Sequence, residues 1–340
     1  MSTLLVTGAA GFIGSNFVRM MRELRPSRRM VALDKLTYAG NLANLDGVLG
    51  EHVAFVRADI CDADAVQKVM ADYAVDEVVH FAAESHVDRS ILGSAPFVRT
   101  NVVGTQVLLD LARAAKVRRF LYVSTDEVYG SLPEDRPEVK FTEETPLAPN
   151  SPYSASKAGG DLLVRSYFHT FHLPVLTTRC SNNYGPYHFP EKLIPLFVTN
   201  LLEGKKVPLY GDGLNVRDWL HVRDHCEAIL AVLERGREGE VYNVGGNNEL
   251  TNRQITEIIL REMGKSWDEY VTFVKDRPGH DRRYAIDASK IKRELGWEPR
   301  FRFDTAIKDT IQWYRDNEAW WRAIKSGEYL TYYETQYAHR

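Results

Sequence analysis

The first half of the chain alternates short apolar runs with longer amphipathic segments. The apolar runs are continuous, which is typical of parallel strands that are buried on both faces. This alternation predicts the α/β class, with a doubly wound, parallel Rossmann-type sheet. The predicted strands are Thr3–Thr7, Met30–Asp34, Val53–Arg57, Glu77–Phe81, Arg119–Ser124 and Val175–Arg179. The predicted helices between them are Phe12–Leu24, Asp64–Tyr73, Phe97–Ala115 and Tyr153–Phe171.

The pattern changes after about residue 180, where prolines, asparagines and glycines interrupt the apolar runs. We expect a first domain over residues 1–180, which later segments near 217–246 rejoin. Residues 181–340 mainly form a second, smaller α/β domain. It would close over the carboxyl ends of the first-half strands, where open sheets bind ligands. The strand Val241–Val244 is predicted to return to the main sheet, and Gly130–Asn150 to be a surface excursion. Predicted helices are Leu193–Leu202, Asp224–Glu234, Asn252–Met263, Ser289–Leu295 and Asp304–Arg322.

Composition and charge exclude several classes of function. The net charge is −3 and the charged residues are scattered, so nothing suggests a nucleic-acid partner. The three cysteines are too widely spaced for a disulfide framework or a zinc site, which suits a reducing compartment. The sequence has neither a signal peptide nor an apolar stretch of about 18 residues. We therefore expect a soluble, cytoplasmic protein without a metal or a membrane partner.

A glycine-rich turn joins the first predicted strand to the first predicted helix. Glycines in this setting permit a tight turn, a close approach of the backbone to a pyrophosphate and close helix–strand packing. The helix N-terminus then faces the phosphates with free N–H groups and the positive end of its dipole. The turn predicts a dinucleotide site formed by Gly8, Gly11, Phe12, Ile13 and Gly14.

The strand ends nearby support the same site. Asp34 ends the second strand, where a carboxylate can accept the ribose hydroxyls and would repel a 2′-phosphate. We therefore expect NAD rather than NADP, although the neighbouring Lys35 could attract such a phosphate. Two further strand ends are predicted to flank the cofactor, with the residues Asp59, Ile60, Phe81, Ala82 and Ala83.

Tyr153 and Lys157 lie one turn apart on a predicted helix and therefore share a face. An unperturbed tyrosine has a pKa near 10. A neighbouring ammonium and a positively charged nicotinamide would both favour the tyrosinate, which could then take a proton from an alcohol. On its own this spacing is also typical of a helix surface pair, but behind a dinucleotide turn it favours redox catalysis.

Two consecutive carboxylates, Asp126 and Glu127, follow Thr125 at the end of the fifth predicted strand. An arbitrary Asp-Glu pair is often a solvated turn. However, alcohol oxidation needs only the tyrosine, the lysine and a hydroxyl residue. A second acid–base pair at the cleft therefore indicates a second proton-transfer step.

At these residues the chain resembles the extended short-chain dehydrogenase/reductase superfamily and, within it, the dTDP-glucose 4,6-dehydratase family. The resemblance extends over nearly the whole length. Related epimerases usually carry small or hydroxyl residues where this chain has Asp126 and Glu127. The discriminating segments are Thr125–Glu127, Ala82–Ser90, Asn182–Pro186, Pro190–Leu193 and Arg277–Asp281.

The resemblance implies a three-step cycle on a nucleotide-linked hexose. Tyr153 deprotonates the C4 hydroxyl as hydride passes from C4 to NAD, while Thr125 hydrogen-bonds the developing oxygen. Glu127 then removes the C5 proton, and a protonated Asp126 donates to the departing C6 hydroxyl. Hydride finally returns to C6. Because Asp126 must stay neutral, we expect an apolar or anion-rich environment that raises its pKa.

The resemblance also implies which residues hold the ligands. The diphosphate would suit Arg217 and Lys192, because Arg offers a bidentate fork and Lys a point charge. His86, Asp88 and Arg89 belong to the pattern, and we expect buried structural hydrogen bonding from them. The implied cofactor neighbours are Ser85, Thr100 and Asn183. The implied substrate-binding residues are Ser85, Thr125, Asn182, Lys192, Leu193, Pro208, Tyr210, Arg217, Asn252, Arg277 and His280.

Two alternatives stay open from the sequence. The chain could be another nucleotide-sugar enzyme of the superfamily, an epimerase or a decarboxylase. It could also be a regulator that senses NAD without catalysis, although such a protein would not need the intact Tyr153, Lys157, Asp126 and Glu127. The long helices Phe97–Ala115 and Tyr153–Phe171 lead us to expect a symmetric homodimer.

Overall fold

The computed structural model describes residues 2–326. Its strands are β1 Thr3–Thr7, β2 Arg29–Asp34, β3 Val53–Arg57, β4 Val75–His80, β5 Arg119–Thr125, β6 Val175–Cys180, β7 Asn182–Tyr184, β8 Val207–Tyr210, β9 Val216–His221, β10 Val241–Val244, β11 Glu249–Thr251 and β12 Val271–Val274. Its α-helices are α1 Phe12–Leu24, α2 Ala63–Asp72, α3 Val87–Leu92, α4 Ala95–Val98, α5 Thr105–Ala114, α6 Pro152–Phe171, α7 Leu193–Leu202, α8 Val222–Arg235, α9 Asn252–Glu262, α10 Trp267–Tyr270, α11 Ser289–Leu295, α12 Phe303–Asp316 and α13 Glu318–Ile324.

Across residues 2–326, the main sheet has seven strands in the order β10-β6-β5-β4-β1-β2-β3. All of its pairings are parallel. The predicted Rossmann-type sheet is confirmed, including the return of Val241–Val244 beside β6. The strand order reverses between β1 and β4, and ligands bind at such a point in open sheets.

The sheet is covered on both faces, as its continuous apolar strands require. One apolar cluster packs α1 and α8 against the sheet, with Phe17 and Ile229 fully buried. The opposite cluster packs α2, α5 and α6, with Leu108 and Val164 fully buried. This layering leaves the carboxyl ends of the strands open along one edge, and the rest of the chain covers that edge.

The second half adds two small sheets, β11-β9-β7 and β12-β8, to a helical core. In that core, α7, α9, α12 and α13 bury Phe197, Ile259 and Trp321. The division into domains over 1–180 and 181–340 stays a prediction, and its last stretch, 327–340, lies outside the described residues. Between residues 2 and 326, no helix has both the length and the apolar character needed to cross a membrane.

Three details differ from the sequence predictions. The predicted helix Asp304–Arg322 is interrupted at Asn317, which ends α12 and precedes α13. The predicted helix Phe97–Ala115 contains a π-helical stretch, Arg99–Gly104, between α4 and α5. The excursion Gly130–Asn150 is mostly exposed but buries Phe141, which forms a bridge to Ile286. Short strands such as β7 and β11 carry too few residues for a periodicity to reveal them.

Candidate active site

A cavity opens at the carboxyl ends of the main-sheet strands, and the second half of the chain closes it. Every residue that the sequence assigns to cofactor, substrate or catalysis contributes to its wall. These residues are Gly8, Gly11, Phe12, Ile13, Gly14, Asp34, Lys35, Asp59, Ile60, Phe81, Ala82, Ala83, Ser85, Thr100, Thr125, Asp126, Glu127, Tyr153, Lys157, Asn182, Asn183, Lys192, Leu193, Pro208, Tyr210, Arg217, Asn252, Arg277 and His280. Their individual roles stay predictions.

The glycine turn is built by close backbone approaches. Gly8 has φ +68°, and a Cβ there would lie 2.6 Å from the backbone nitrogen of Ala82. A Cβ at Gly14 would lie 2.2 Å from the Gly8 carbonyl oxygen. The turn between β1 and α1 therefore needs both glycines, because any side chain would push α1 and β4 away from it. A backbone of this kind fits the pyrophosphate of a dinucleotide.

The end of β2 completes this half of the cavity. The Asp34 carboxylate accepts hydrogen bonds from the backbone N–H groups of Ala10 (2.9 Å) and Leu36 (2.8 Å). Its position beside the turn is the one that ribose recognition requires. Lys35 forms an ion pair with Asp59 (Nζ–Oδ2 2.8 Å), so its charge is already partnered. Both features favour NAD over a cofactor with a 2′-phosphate.

Tyr153 and Lys157 lie in the first turns of α6. Ser151 begins this helix with a capping box to Ser154, and Pro152 occupies a position where its missing N–H costs nothing. The Lys157 ammonium donates a hydrogen bond to the carbonyl oxygen of Val123 on β5 (2.8 Å). The cap and this bond fix the helix against the strand that leads to the two acids.

The joint effect of Lys157 and a bound nicotinamide on the Tyr153 tyrosinate stays a prediction, and in the chain by itself burial acts against the tyrosinate. Burial, followed by the nearby Glu127 carboxylate, raises the pKa of Tyr153 well above 10. Burial lowers the pKa of Lys157 to about 8. The Lys157 ammonium is turned toward Val123, so its effect on the phenol does not overcome desolvation.

The acid pair lies on a short 3₁₀ turn, Asp126–Tyr129, at the end of β5. The Thr125 hydroxyl oxygen accepts a hydrogen bond from the Glu127 N–H (3.3 Å) and thereby caps this turn. The Asp126 side chain is buried, and its Oδ2 has no hydrogen-bond partner among residues 2–326. Asp126 is therefore part of the cavity wall and is shielded from bulk solvent.

The predicted shift of the Asp126 pKa is confirmed in direction. Burial, then the charge of Glu127, raises the pKa of Asp126 well above 3.8, although Arg217 opposes the shift. Burial also raises the pKa of Glu127, and three cations, Arg277 first, act against this rise. The two neighbouring acids thus differ in their surroundings. The environment favours a protonated Asp126, and Glu127 has more cationic support for its ionised form.

The far wall of the cavity is basic. The Lys192 ammonium donates to the Ser85 carbonyl oxygen (2.9 Å), and Arg217 donates to the Asp281 carbonyl oxygen (2.8 Å). Arg277 lies 3.9 Å from an Asp88 carboxylate oxygen. This concentration of positive charge suits a diphosphate. Among the described residues, no group of His, Cys, Asp and Glu is arranged to hold a metal ion.

Of the three residues that the sequence left without chemistry, His86 and Asp88 form part of this wall and Arg89 lies beside it. The His86 Nδ1 caps α3 by accepting from the Arg89 N–H (3.4 Å). The Arg89 Nε–H donates to Glu191 (3.2 Å), and its guanidinium lies 3.9 Å from the centre of the Tyr38 ring. The Tyr210 hydroxyl donates to Asp88 (3.4 Å). His86 and Asp88 are buried and hydrogen-bonded as expected, whereas Arg89 is hydrogen-bonded but only partly buried.

The sequence missed several residues of the wall. Glu191 lies inside the segment Pro190–Leu193 and Glu84 inside Ala82–Ser90, so the sequence singled out their surroundings but gave them no role. Tyr284 lies shortly after Arg277–Asp281, and nothing in its own pattern marks it. Other cavity residues to which the sequence assigned no role include Thr37, Ser124, Cys180, Ser181, His188 and Trp219.

Comparisons with known proteins agree with this geometry. Residues 5–310 match the model of the family described as GDP-mannose 4,6 dehydratase. A dTDP-glucose 4,6-dehydratase of Streptomyces antibioticus is 57% identical over 327 residues, which are 95% of this chain and 95% of that protein.

Solved structures give the same result. A dTDP-glucose 4,6-dehydratase of Streptomyces venezuelae, crystallised with NAD, superposes with a TM-score of 0.91 at 53% identity, covering 95% of this chain and 100% of that one. A UDP-glucose 4-epimerase of Thermus thermophilus with NAD is more distant, with a TM-score of 0.85 at 30% identity, covering 93% and 99%. The resemblance expected from the motifs is confirmed. The chain therefore belongs to the GDP-mannose 4,6 dehydratase family, in the group of the dTDP-glucose 4,6-dehydratases.

Proposed function

We propose that the chain converts dTDP-glucose to dTDP-4-keto-6-deoxyglucose as an NAD-dependent hydro-lyase. One observation carries the proposal: a buried acid pair, Asp126 and Glu127, lines the same cavity as Tyr153 and Lys157. An alcohol dehydrogenase or an epimerase needs only the pair Tyr153 and Lys157. A dehydratase needs both, because it oxidises one carbon and eliminates water across two others.

The residues of the first half fit NAD. The tight backbone around Gly8 and Gly14 can approach a pyrophosphate, and Asp34 can accept the ribose hydroxyls. Lys35, a cation that could favour NADP, is paired with Asp59. When bound, NAD supplies a hydride acceptor for the sugar C4 position and afterwards a hydride donor for C6.

In the oxidation step, Tyr153 takes the proton of the C4 hydroxyl and Thr125 hydrogen-bonds the same oxygen. Burial raises the pKa of Tyr153 in the chain by itself, and the positive charge of a bound nicotinamide would favour its tyrosinate. Lys157 is anchored to Val123 beside it and keeps α6 against β5. These contacts keep Tyr153 close to the turn at the end of β5 that carries the two acids.

In the elimination step, Glu127 removes the C5 proton and Asp126 donates a proton to the C6 hydroxyl. The C5–H and C6–O bonds break, a C5–C6 double bond forms and water leaves. The environment of Asp126 suits a proton donor, because burial and the neighbouring Glu127 both favour the neutral acid. Hydride return to C6 and a proton at C5 complete the product.

The substrate is held from the second half of the chain. Lys192, Arg217 and Arg277 provide positive charge for the diphosphate, and Pro208 with Tyr210 offers an apolar surface for the base. The remaining contacts expected are Ser85, Asn182, Leu193, Asn252 and His280.

We further propose a homodimer in the cytoplasm. Leu92, Val98 and Leu162 are exposed on α3, α4 and α6, and such apolar side chains favour pairing with a second copy. The free cysteines Cys61, Cys180 and Cys226 suit a reducing compartment. A monomeric mass at micromolar concentration would contradict the dimer.

The experiment that tests the proposed activity is product analysis. Purified protein is incubated separately with dTDP-glucose and UDP-glucose in deuterated buffer. We expect dTDP-glucose to lose one water and to gain deuterium at C5. An epimerised sugar of unchanged mass would indicate the epimerase alternative, and binding without turnover would indicate a regulator.

A further inference from the structure

A buried polar network lies directly behind the acid turn. The Arg179 guanidinium donates two hydrogen bonds to the Asp161 carboxylate, Nε to Oδ2 at 2.9 Å and Nη2 to Oδ1 at 2.8 Å. Its Nη1 donates to the Tyr129 hydroxyl oxygen (2.9 Å). The Tyr129 O–H in turn donates to the Asn243 side-chain oxygen (2.8 Å). We call these four residues the turn–helix network.

The network connects the two halves of the catalytic machinery. Tyr129 is the last residue of the 3₁₀ turn that begins at Asp126. Asp161 lies on α6, one helical turn beyond Lys157. Arg179 is on β6 and bridges them, so a series of hydrogen bonds connects Tyr129 on the acid turn to Asp161 on the helix of Tyr153.

The two elements that the network connects, α6 and the acid turn, differ in their other contacts. α6 has its own capping box at Ser151 and the bond from Lys157 to Val123, and neither involves the network. Beyond its cap at Thr125, the acid turn has a backbone bond from Ala148 to Val128 and the stacking of Tyr129 on Phe141 (4.9 Å). The Tyr129 hydroxyl therefore links the acid turn to α6, through its hydrogen bond with Arg179.

The energetics of the network favour a role in register and not in gross stability. The Arg179 and Asp161 side chains are 7% and 3% exposed. Replacing such a buried pair with well-packed apolar residues often leaves stability unchanged or raises it. Burial raises the pKa of Tyr129 to about 12, so the hydroxyl keeps its proton and can accept from Arg179 while donating to Asn243.

We propose that Tyr129 and Arg179 are positioning residues for the elimination step, which hold Asp126 and Glu127 at a fixed distance from Tyr153. The inference rests on the proposed function. Loss of the Tyr129 hydroxyl displaces the acids but leaves Tyr153 and Lys157 in place. Oxidation at C4 then continues, while C5 deprotonation and water loss become slow.

The test is Tyr129→Phe, which removes the hydroxyl and keeps the stacked ring. Holoenzyme in excess over dTDP-glucose is followed by nicotinamide absorbance, which rises on C4 oxidation and falls on hydride return to C6. We expect an unchanged rise and a fall that is about 10- to 100-fold slower, the scale of misplacing a catalytic group by about 1 Å. Deuterium uptake at C5 should slow by the same factor.

The matched control is Tyr167→Phe, which removes another tyrosine hydroxyl of α6 from a hydrogen bond to Asp110 on α5 (2.7 Å). Neither phase should change in this variant.

The outcomes separate the two ideas. If the wild type forms no keto sugar from dTDP-glucose, the proposed function is wrong. If the wild type is active but Tyr129→Phe leaves both phases unchanged, or slows both equally, the positioning role is refuted. Thermal unfolding of each variant identifies a general loss of structure, which would slow both phases together.

Discussion

Replacement of Gly14 by alanine offers a sharp test of the dinucleotide turn. The added Cβ would lie 2.2 Å from the Gly8 carbonyl oxygen, and ordinary contact begins near 3.4 Å. Because the obstacle is backbone, α1 must move by about 1 Å from the turn that precedes it. Overpacking of this kind typically costs about 1–3 kcal/mol. If that cost destabilises the NAD-bound state relative to the free protein, the affinity for NAD drops about 5- to 150-fold.

The assay is the NAD content of the purified protein together with titration of the stripped protein with NAD. Gly93→Ala is the matched control, because its Cβ would have no neighbour within 4 Å and its φ is not positive. We expect Gly93→Ala to keep NAD and Gly14→Ala to lose most of it. Wild-type NAD affinity in Gly14→Ala would refute the close approach as the reason for glycine at this position.

Three further predictions concern the catalytic groups. Glu127→Gln should slow water loss by about 10²- to 10⁴-fold while C4 oxidation persists, and undiminished keto-sugar formation would remove Glu127 from its role. Tyr153→Phe should suppress nicotinamide reduction in a single turnover, whereas a normal absorbance rise would contradict its role as proton acceptor. The stability of Asp126→Asn relative to the wild type should increase as the pH rises above 3.8, because unfolding of the wild type then releases a proton that folded Asp126 holds. A difference in melting temperature that does not change with pH would contradict the raised pKa of Asp126.

Much of the fold could be predicted from the sequence because its signals are local. Continuous apolar runs indicate strands buried on both faces, and α1, α7 and α11 begin and end at the predicted residues. The helix boundary at Asn317 was missed, since an apolar face continues across it. Short strands such as β7 and β11 depend on distant partners, and their own few residues carry no periodicity.

The candidate site was partly predictable for the same reason. Residues at the ends of parallel strands meet at one edge of a sheet, so Asp34 and Asp126 could be placed together before any coordinates. The contribution of Tyr284 to the wall could not be foreseen, because the folding of the second half alone brings it to the cavity.

The sequence by itself determined the Rossmann-type sheet, the glycine turn and the presence of two acid–base pairs, because each depends on neighbours along the chain. The tertiary structure alone decided what those groups experience. Asp126 is buried near Asp218 and Arg217, and the Lys157 ammonium bonds the Val123 carbonyl. Burial and charge act through space, and the residues that supply them are far apart in sequence.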